Sequence, residues 1–307
     1  MFKGFFSKLL VCGGVIAGSV ATDTCEVVSL ESSATTCKNL PDFPAAVFAA
    51  IGGTGFKENP IICGGIPASN GCYSLENNEW VSSDSMNSVR FYGAADQLQD
   101  GKLLVTGGVG LEVLNSAEIL TENGWESNIP SLAVTIYDHC LVTINSTTVM
   151  VIGGIQNHQI SGKTFYFNFG DDGWTEGPEL KNKRRLHSCG RIRRDKDSQE
   201  MSLIVASGYD SRYNLISSVE VLDEGSNQWR SGPEAPLPMR QFQLVTDQNG
   251  GVVLIGGGSK RIDFHDTLYQ LPHAGQDAKW TLMQQKLKKG RSSHTAILVP
   301  DHLVDCS

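Results

Sequence analysis

The chain has 307 residues, a formal charge of −8 and 33 glycines. Such an acidic balance makes nucleic acid a poor partner, and the glycine content suits many short strands joined by turns. Length alone allows either two average domains or one closed repeat array.

The N-terminus reads MFKGFFSKLLVCGGVIAGSVATDTC, with Lys3 and Lys8, an apolar run from Leu9 to Ala21 and small residues at its end. This is the layout of a secretory signal peptide cut near Ala21. It divides the chain into residues 1–21 and a mature part, 22–307, whose charge is about −10. The apolar run is too short to span a bilayer, and no later segment approaches spanning length. The expected protein is therefore secreted and extracellular, without a membrane span. Loss of Cys12 leaves seven cysteines, at 25, 37, 63, 72, 140, 189 and 306. In an oxidising compartment these allow three bridges and one leftover thiol.

From there on the same parts recur in the same order. Glycine pairs stand at Gly64-Gly65, Gly107-Gly108, Gly153-Gly154 and Gly256-Gly257, with Ser207-Gly208 in the equivalent place, and each is followed by a tryptophan: Trp80, Trp125, Trp174, Trp229 and Trp280. A period of roughly 43 to 55 residues marks a repeat array. Each repeat divides into four strands. The first opens near Arg or His, as at Arg90, Arg184, Arg240 and Arg291. The second is an unbroken apolar run before the glycines (LLVT from Leu103, VMVI from Val149, VVLI from Val252), which predicts burial on both faces. The third alternates, as in SAEIL from Ser116 and SVEVL from Ser218. The fourth carries the tryptophan, a plate to wedge between sheets with an N–H in search of an acceptor. Sheets buried on both faces need a neighbour on each side, and radial arrangement around an axis supplies it.

The glycine pair, the aromatic of the third strand, the tryptophan of the fourth and the R-x-x-H that opens the first resemble kelch repeats. The resemblance covers about residues 43–307 plus the strands before them. It departs at Ser207, at Val89-Arg90 and at Tyr137-Asp138. It implies an all-β, six-bladed β-propeller of four-stranded antiparallel blades. Five blades are complete. The last is expected to be closed by strands from both termini: a first and second strand from Arg291 onward, and a third and fourth from CEVVSLESSATTCKNLPDFP, which begins at Cys25.

On this layout Cys63 and Cys72 lie across from each other on neighbouring strands. The repeat-equivalent pair is Cys25 with Cys306, and Cys25 with Cys37 is the competing choice. Cys140 and Cys189 either face each other near the axis or remain two buried thiols.

The start of the first strand and the loop from the second to the third strand share one face. There Arg184, His187, Tyr209, Arg212, Tyr213, Arg240, Lys260, Arg261, Arg291 and His294 form the candidate binding surface; the plainer alternative is that Arg and His bind loop carbonyls of the next blade. Basic clusters at Lys181, Lys183, Arg184 and Arg185 and at Lys286, Lys288, Lys289 and Arg291 fit an extracellular protein or an anionic glycan as partner. The run Arg191, Arg193, Arg194 and Lys196 reads as a solvated insertion on the opposite face. Asn145-Ser146-Thr147, the only glycosylation sequon, also falls on that opposite face.

The resemblance extends to copper radical oxidases of the galactose oxidase type, whose chemistry takes two histidines and two tyrosines on copper. His139, His187 and His294 open first strands, but in different repeats and at a position where histidine is ordinary. No metalloprotease, esterase, P-loop or dinucleotide motif is present. The expectation is a monomeric binding or scaffold module with no catalytic residue, metal or cofactor; an extracellular oxidase is the alternative.

Overall fold

The computed structural model describes residues 6–31, 37–38, 40–55, 58–260, 263–304 and 306. The fold is all-β and propeller-like, and among the described residues the one named helical element is the single turn Asp301–Leu303. Five antiparallel sheets have four strands each. Sheet I is Ile51–Thr54, Pro60–Cys63, Cys72–Glu76 and Glu79–Ser83. Sheet II is Ala94–Gln97, Leu103–Thr106, Ala117–Thr121 and Gly124–Glu126. Sheet III is Cys140–Thr143, Thr148–Ile152, Thr164–Asn168 and Thr175–Glu176. Sheet IV is Ser188–Arg193, Met201–Ala206, Val219–Leu222 and Arg230–Ser231. Sheet V is Gln243–Thr246, Val252–Ile255, Thr267–Leu271 and Thr281–Lys286. Sheet VI has three strands, Thr295–Val299, Lys8–Cys12 and Cys25–Ser29, with Lys8–Cys12 in the middle.

The last sheet draws on the N-terminal apolar run. The apolar run that resembles the core of a signal peptide holds the second strand of sheet VI, paired on both sides (Leu10 with Ile297 and with Val27) and buried from Leu9 to Cys12. A strand covered on both faces needs an uninterrupted apolar run, the same composition that a signal sequence needs, so hydropathy does not separate the two. The second strand expected near the C-terminus is thus supplied by residues 8–12, and the folded part includes residues 8–21. Gly13 and Gly14 after it are a fifth glycine pair, and with Ser207-Gly208 they complete the set of six. The expected fourth strand of this sheet overlaps residues 32–36 and 39, which lie outside the described residues.

The cysteine pairing changes accordingly. All eight cysteines are bridged: Cys12–Cys25, Cys37–Cys306, Cys63–Cys72 and Cys140–Cys189. Cys63–Cys72 is as expected, and Cys140–Cys189 takes the bridged of its two readings. Cys25 joins Cys12, not Cys306, because those two are direct cross-strand partners in the same register as Cys63 and Cys72. Cys306 joins Cys37 instead, so the ends are still tied together over a separation of 269 residues. Nearby, Ser7 donates from N and Oγ to Asp301 Oδ1 at 2.9 Å, and Lys8 Nζ donates to the Asp301 carbonyl at 3.0 Å.

First strands neighbour one another in the order of sheets I to VI, and the strand of sheet VI returns to that of sheet I. Six apolar clusters fill the seams between successive sheets. Just before each first strand, one residue takes the left-handed conformation: Ala49, Tyr92, Asp138, Leu186, Gln241 and Ser293, all with φ between 52° and 55°. Each N–H donates to the carbonyl of its counterpart in the preceding sheet, Tyr92 to Ala49, Asp138 to Tyr92 and so on to Ala49 to Ser293, at 2.9 to 3.1 Å. Six hydrogen bonds therefore close a ring around the axis. A left-handed L-residue costs about 1–2 kcal/mol, and a buried, satisfied backbone bond offsets that cost.

A second set of bonds explains the glycine pairs. The second residue of each pair donates to a carbonyl in the following sheet, as Gly108 to Ile136 at 2.8 Å and Gly14 to Val47 at 2.7 Å. At Gly107, φ is +56° and a Cβ would sit 2.4 Å from the Ile136 oxygen, so the close approach excludes a side chain there. Every tryptophan N–H also finds an acceptor in the preceding sheet: Trp80 on Pro41, Trp125 on Asp84, Trp174 on Pro130, Trp229 on Pro178 and Trp280 on Pro233.

Candidate functional site

Several residues expected on the binding surface lie inside the seams. Arg184 and Arg291 are buried, and Arg90 repeats their arrangement. Arg184 donates to the carbonyls of Ser207 and Ser218, to Ser218 Oγ and, at 2.8 Å, to Glu220 Oε1. Arg291 does the same with Gly13, Thr24 and Glu26, and Arg90 with Gly107, Ser116 and Glu118. The glutamates also accept backbone N–H groups, those of Lys181 and Asn182 on Glu220, of Asn87 and Ser88 on Glu118 and of Lys288 on Glu26. These pairs occur in alternate sheets, and their positions are held in the other three by buried Val47, Ile136 and Met239. Arg184 and Arg291 are thus scaffold, because their donors are consumed by loop carbonyls and a buried carboxylate.

The histidines are scaffold as well. His187 and His294 are buried, as is His139. His187 Nε2 donates to the Ile152 carbonyl at 3.1 Å, and His139 Nε2 shares a hydrogen bond of 2.8 Å with Thr106 Oγ1. Each ring lies over the first glycine of the preceding pair, His139 on Gly107, His187 on Gly153 and His294 on Gly256. Burial, reinforced by the neighbouring arginine, lowers all three pKa values to about 3, so the rings are neutral. Among the described residues, no three His, Cys, Asp or Glu groups stand as a metal-holding set.

The remaining expected residues separate into two groups. Tyr209, Tyr213 and Arg240 meet at the axial mouth, on the face of the loops from second to third strand. Arg212 is exposed beside them in a turn whose N–H groups at Arg212 and Asn214 bind Asp210 Oδ1. Lys260 belongs to the short strand Gly258–Lys260, and Arg261 lies outside the described residues.

Four further residues complete the mouth: Tyr92, Tyr137 and Asp138, which were not among the candidates, and Arg185 of the first basic cluster. Tyr92 and Asp138 belong to the ring of left-handed residues, which fixes their backbone. Arg185 pairs with Asp138, Nε to Oδ2, at 3.3 Å. Its guanidinium lies 5.9 Å from the Tyr213 ring, and that of Arg240 lies 5.9 Å from the Tyr209 ring, at the outer limit of cation–π contact. Arg240 also touches Gln241 Oε1. Backbone bonds in both directions between Arg185 and Tyr209 lock two of these elements together.

The electrostatics of the mouth are unlike those of the seams. Asp138 is only 7% exposed, and its Oδ1 has no hydrogen-bond partner among the described residues. Burial raises its pKa to about 7, and Arg185 opposes the shift. Tyr92 and Tyr137 are raised too, by burial and then by Asp138. Below the mouth lies a cavity of about 100 Å³ lined by the six ring residues and by His139, His187 and His294. A wider axial cavity of about 800 Å³ follows, walled by the first strands. Arg191 lines it and acts on Asp96, whose pKa is raised by burial. Arg191 and Arg193 therefore belong to a first strand, not to a solvated insertion; Arg194 pairs with Glu200 at 2.6 Å. At the opposite end, Asn145 is exposed in the turn between first and second strands of sheet III, where its Oδ1 accepts from Thr147.

A signal for the missed residues stood in the sequence. Tyr137-Asp138 departs from the repeat pattern, and Asp is favoured in a left-handed position.

A solved structure described as "Structure of YjhT" is similar over 91% of this chain and 97% of that one, with a TM-score of 0.70 and 14% sequence identity. That likeness shows the fold. No family model matches the chain, and no curated protein matches it.

Proposed function

We propose that the chain is a six-bladed, kelch-type propeller sealed by strands from both ends, and that it is an extracellular binding module, not an enzyme. The ring of six backbone bonds and the six seams support the blade count. The strand Lys8–Cys12 between Thr295–Val299 and Cys25–Ser29 supports the closure. Extracellular placement rests on the four disulfides, which persist in oxidising compartments. Among the described residues no helix is long and apolar enough to cross a membrane.

One observation carries the choice of surface. Arg185 pairs with a buried carboxyl whose Oδ1 has no partner, with Arg240, Tyr209 and Tyr213 at the same mouth, on a scaffold whose other ion-paired buried carboxylates, Glu26, Glu118 and Glu220, are bonded by an arginine and by backbone N–H groups. Rigid loops that present Arg and Tyr around a concave, partly unsatisfied centre are suited to binding. The partner is an extracellular protein or an anionic glycan. Recovery of partners from extracellular fluid is expected to fall when Arg185→Met, Arg240→Met and Tyr213→Ala are combined; equal recovery would show the surface is wrong. Stoichiometric copper with peroxide release on alcohols would replace the binding reading by an oxidase. A glycan on Asn145 would cover the opposite end and leave this face open; glycosidase treatment would reveal it as a mass shift.

A further inference from the structure

We propose that the axial mouth is a carboxylate site for an acidic protein segment, with Asp138 holding Arg185 until an incoming Asp or Glu side chain takes its place. This rests on the loop face being the binding surface and names what that face takes.

The geometry favours displacement. Arg184 shows an arginine fully held, with donors on three carbonyls, a hydroxyl and Glu220. Arg185, the next residue, has only the 3.3 Å approach of Asp138, without hydrogen-bond geometry at its Nε. Arg240 Nε also has no partner. The backbone of Asp138 is fixed, with its N–H on the Tyr92 carbonyl and its own carbonyl accepting Leu186 N–H, and its side chain is buried. The groups that act on it are Arg185 directly, Tyr92 and Tyr137 beside it, and Arg240 and Tyr213 through those tyrosines. Arg185 thus acts on the constrained acid and Arg240 on the adjacent Tyr92, and a second carboxylate at the mouth would give both guanidinium groups an acceptor.

The surrounding tips select a protein. Among the described residues, Leu111, Tyr213 and Val20 are the large exposed hydrophobics of the loops from second to third strand, at 103%, 66% and 56%, in sheets II, IV and VI. Aliphatic tips such as Leu111 and Val20 have little to offer an anionic polysaccharide, whereas they can cover apolar side chains flanking an acidic residue.

Asp138 also makes occupancy depend on pH. Since its carboxyl titrates at about 7, it is charged and competes for Arg185 at pH 8 and is neutral at pH 6. If only the neutral form admits the ligand, linkage gives an affinity about tenfold higher at pH 6 than at pH 8.

The test uses the full chain and a fluorescent, end-blocked peptide of alternating Glu and Leu, with a twin carrying Gln for Glu, read by anisotropy from pH 6 to pH 8. The Glu peptide is expected to bind about tenfold tighter at the lower pH and the Gln twin at least tenfold more weakly. Asp138→Asn should bind with the pH 6 affinity throughout, and Arg185→Met, which alters a partly exposed side chain, should lose about tenfold or more. Equal binding of the twin, or a pH slope retained in Asp138→Asn, would overturn the proposal. A heparin-derived oligosaccharide is the third arm. Arg185-dependent binding of that probe without peptide binding would refute the acidic segment while leaving the face intact. Failure of every probe, together with unchanged recovery of extracellular partners by the Arg185 and Arg240 variants, would refute both.

Discussion

Arg184 and Arg185 are consecutive in the chain and differ in every physical respect. Arg184 is buried in the seam of sheet IV with every guanidinium nitrogen placed on an acceptor, and Glu220 in turn accepts two backbone N–H groups. Arg185 stands at the mouth, 23% exposed, with a single acid at 3.3 Å that is itself incompletely bonded. Around Arg184 every donor meets an acceptor, and around Arg185 it does not. Residue type therefore says little about role in this chain; the completeness of the surrounding hydrogen bonds says more.

The largest effect that would sharpen this contrast is acid lability of the seams. Each of the three histidines has a folded pKa of about 3 against an ordinary 6.5. Between about pH 6 and pH 4 the unfolded chain binds up to three more protons, so stability falls with pH by up to about 4 kcal/mol per unit. Asp138 opposes this, because its folded value lies above its unfolded one and the native state keeps that proton. Denaturation midpoints across this range should drop steeply, and a flat profile would mean that the rings are not held neutral.

Next is Glu220→Gln, which leaves Arg184 buried without its charge partner and is expected to cost about 3–5 kcal/mol in urea unfolding. A loss as small as that of a surface pair would erase the distinction between seam and mouth. Replacing Cys37 and Cys306 by serine should cost about 2–4 kcal/mol and show as lost protection in the strands of sheet VI by hydrogen exchange. Protection spread evenly over all sheets would argue that this bridge does not act on the closure.

At the mouth the sign reverses. Asp138→Asn is expected to raise stability at pH 8 by about 2 kcal/mol and by less at pH 5, because the ionised carboxyl is a burden only above its unfolded pKa. Smallest of all, Arg185→Met should change stability by less than about 1 kcal/mol while weakening binding. A larger loss would make Arg185 scaffold.

Much of the architecture was legible because it is periodic. The glycine pairs, the apolar second strands and the tryptophans each meet the same neighbour in every sheet, so repetition exposes them. The misread segment shows the limit. VCGG at residues 11–14 has the same form as ICGG at 62–65, and Cys12 stands to Cys25 as Cys63 to Cys72, yet an apolar run near the N-terminus satisfies export as well as burial. Of the site, Tyr209, Tyr213 and Arg240 were legible as loop residues on one face. Arg184, His187, Arg291 and His294 looked equivalent and are not, because a one-residue step along the chain turns a side chain from the mouth into the seam.

By itself the sequence determined that the chain forms repeated, doubly buried sheets, since the period and the unbroken apolar strands leave few other ways to cover both faces. The tertiary structure alone decided how the ends join, which partners Cys25 and Cys306 take and which arginine is left with an unfinished partner. Those depend on contacts between strands and loops of different repeats, such as Cys37 with Cys306 over 269 positions and Arg185 with Asp138, and no local pattern encodes them.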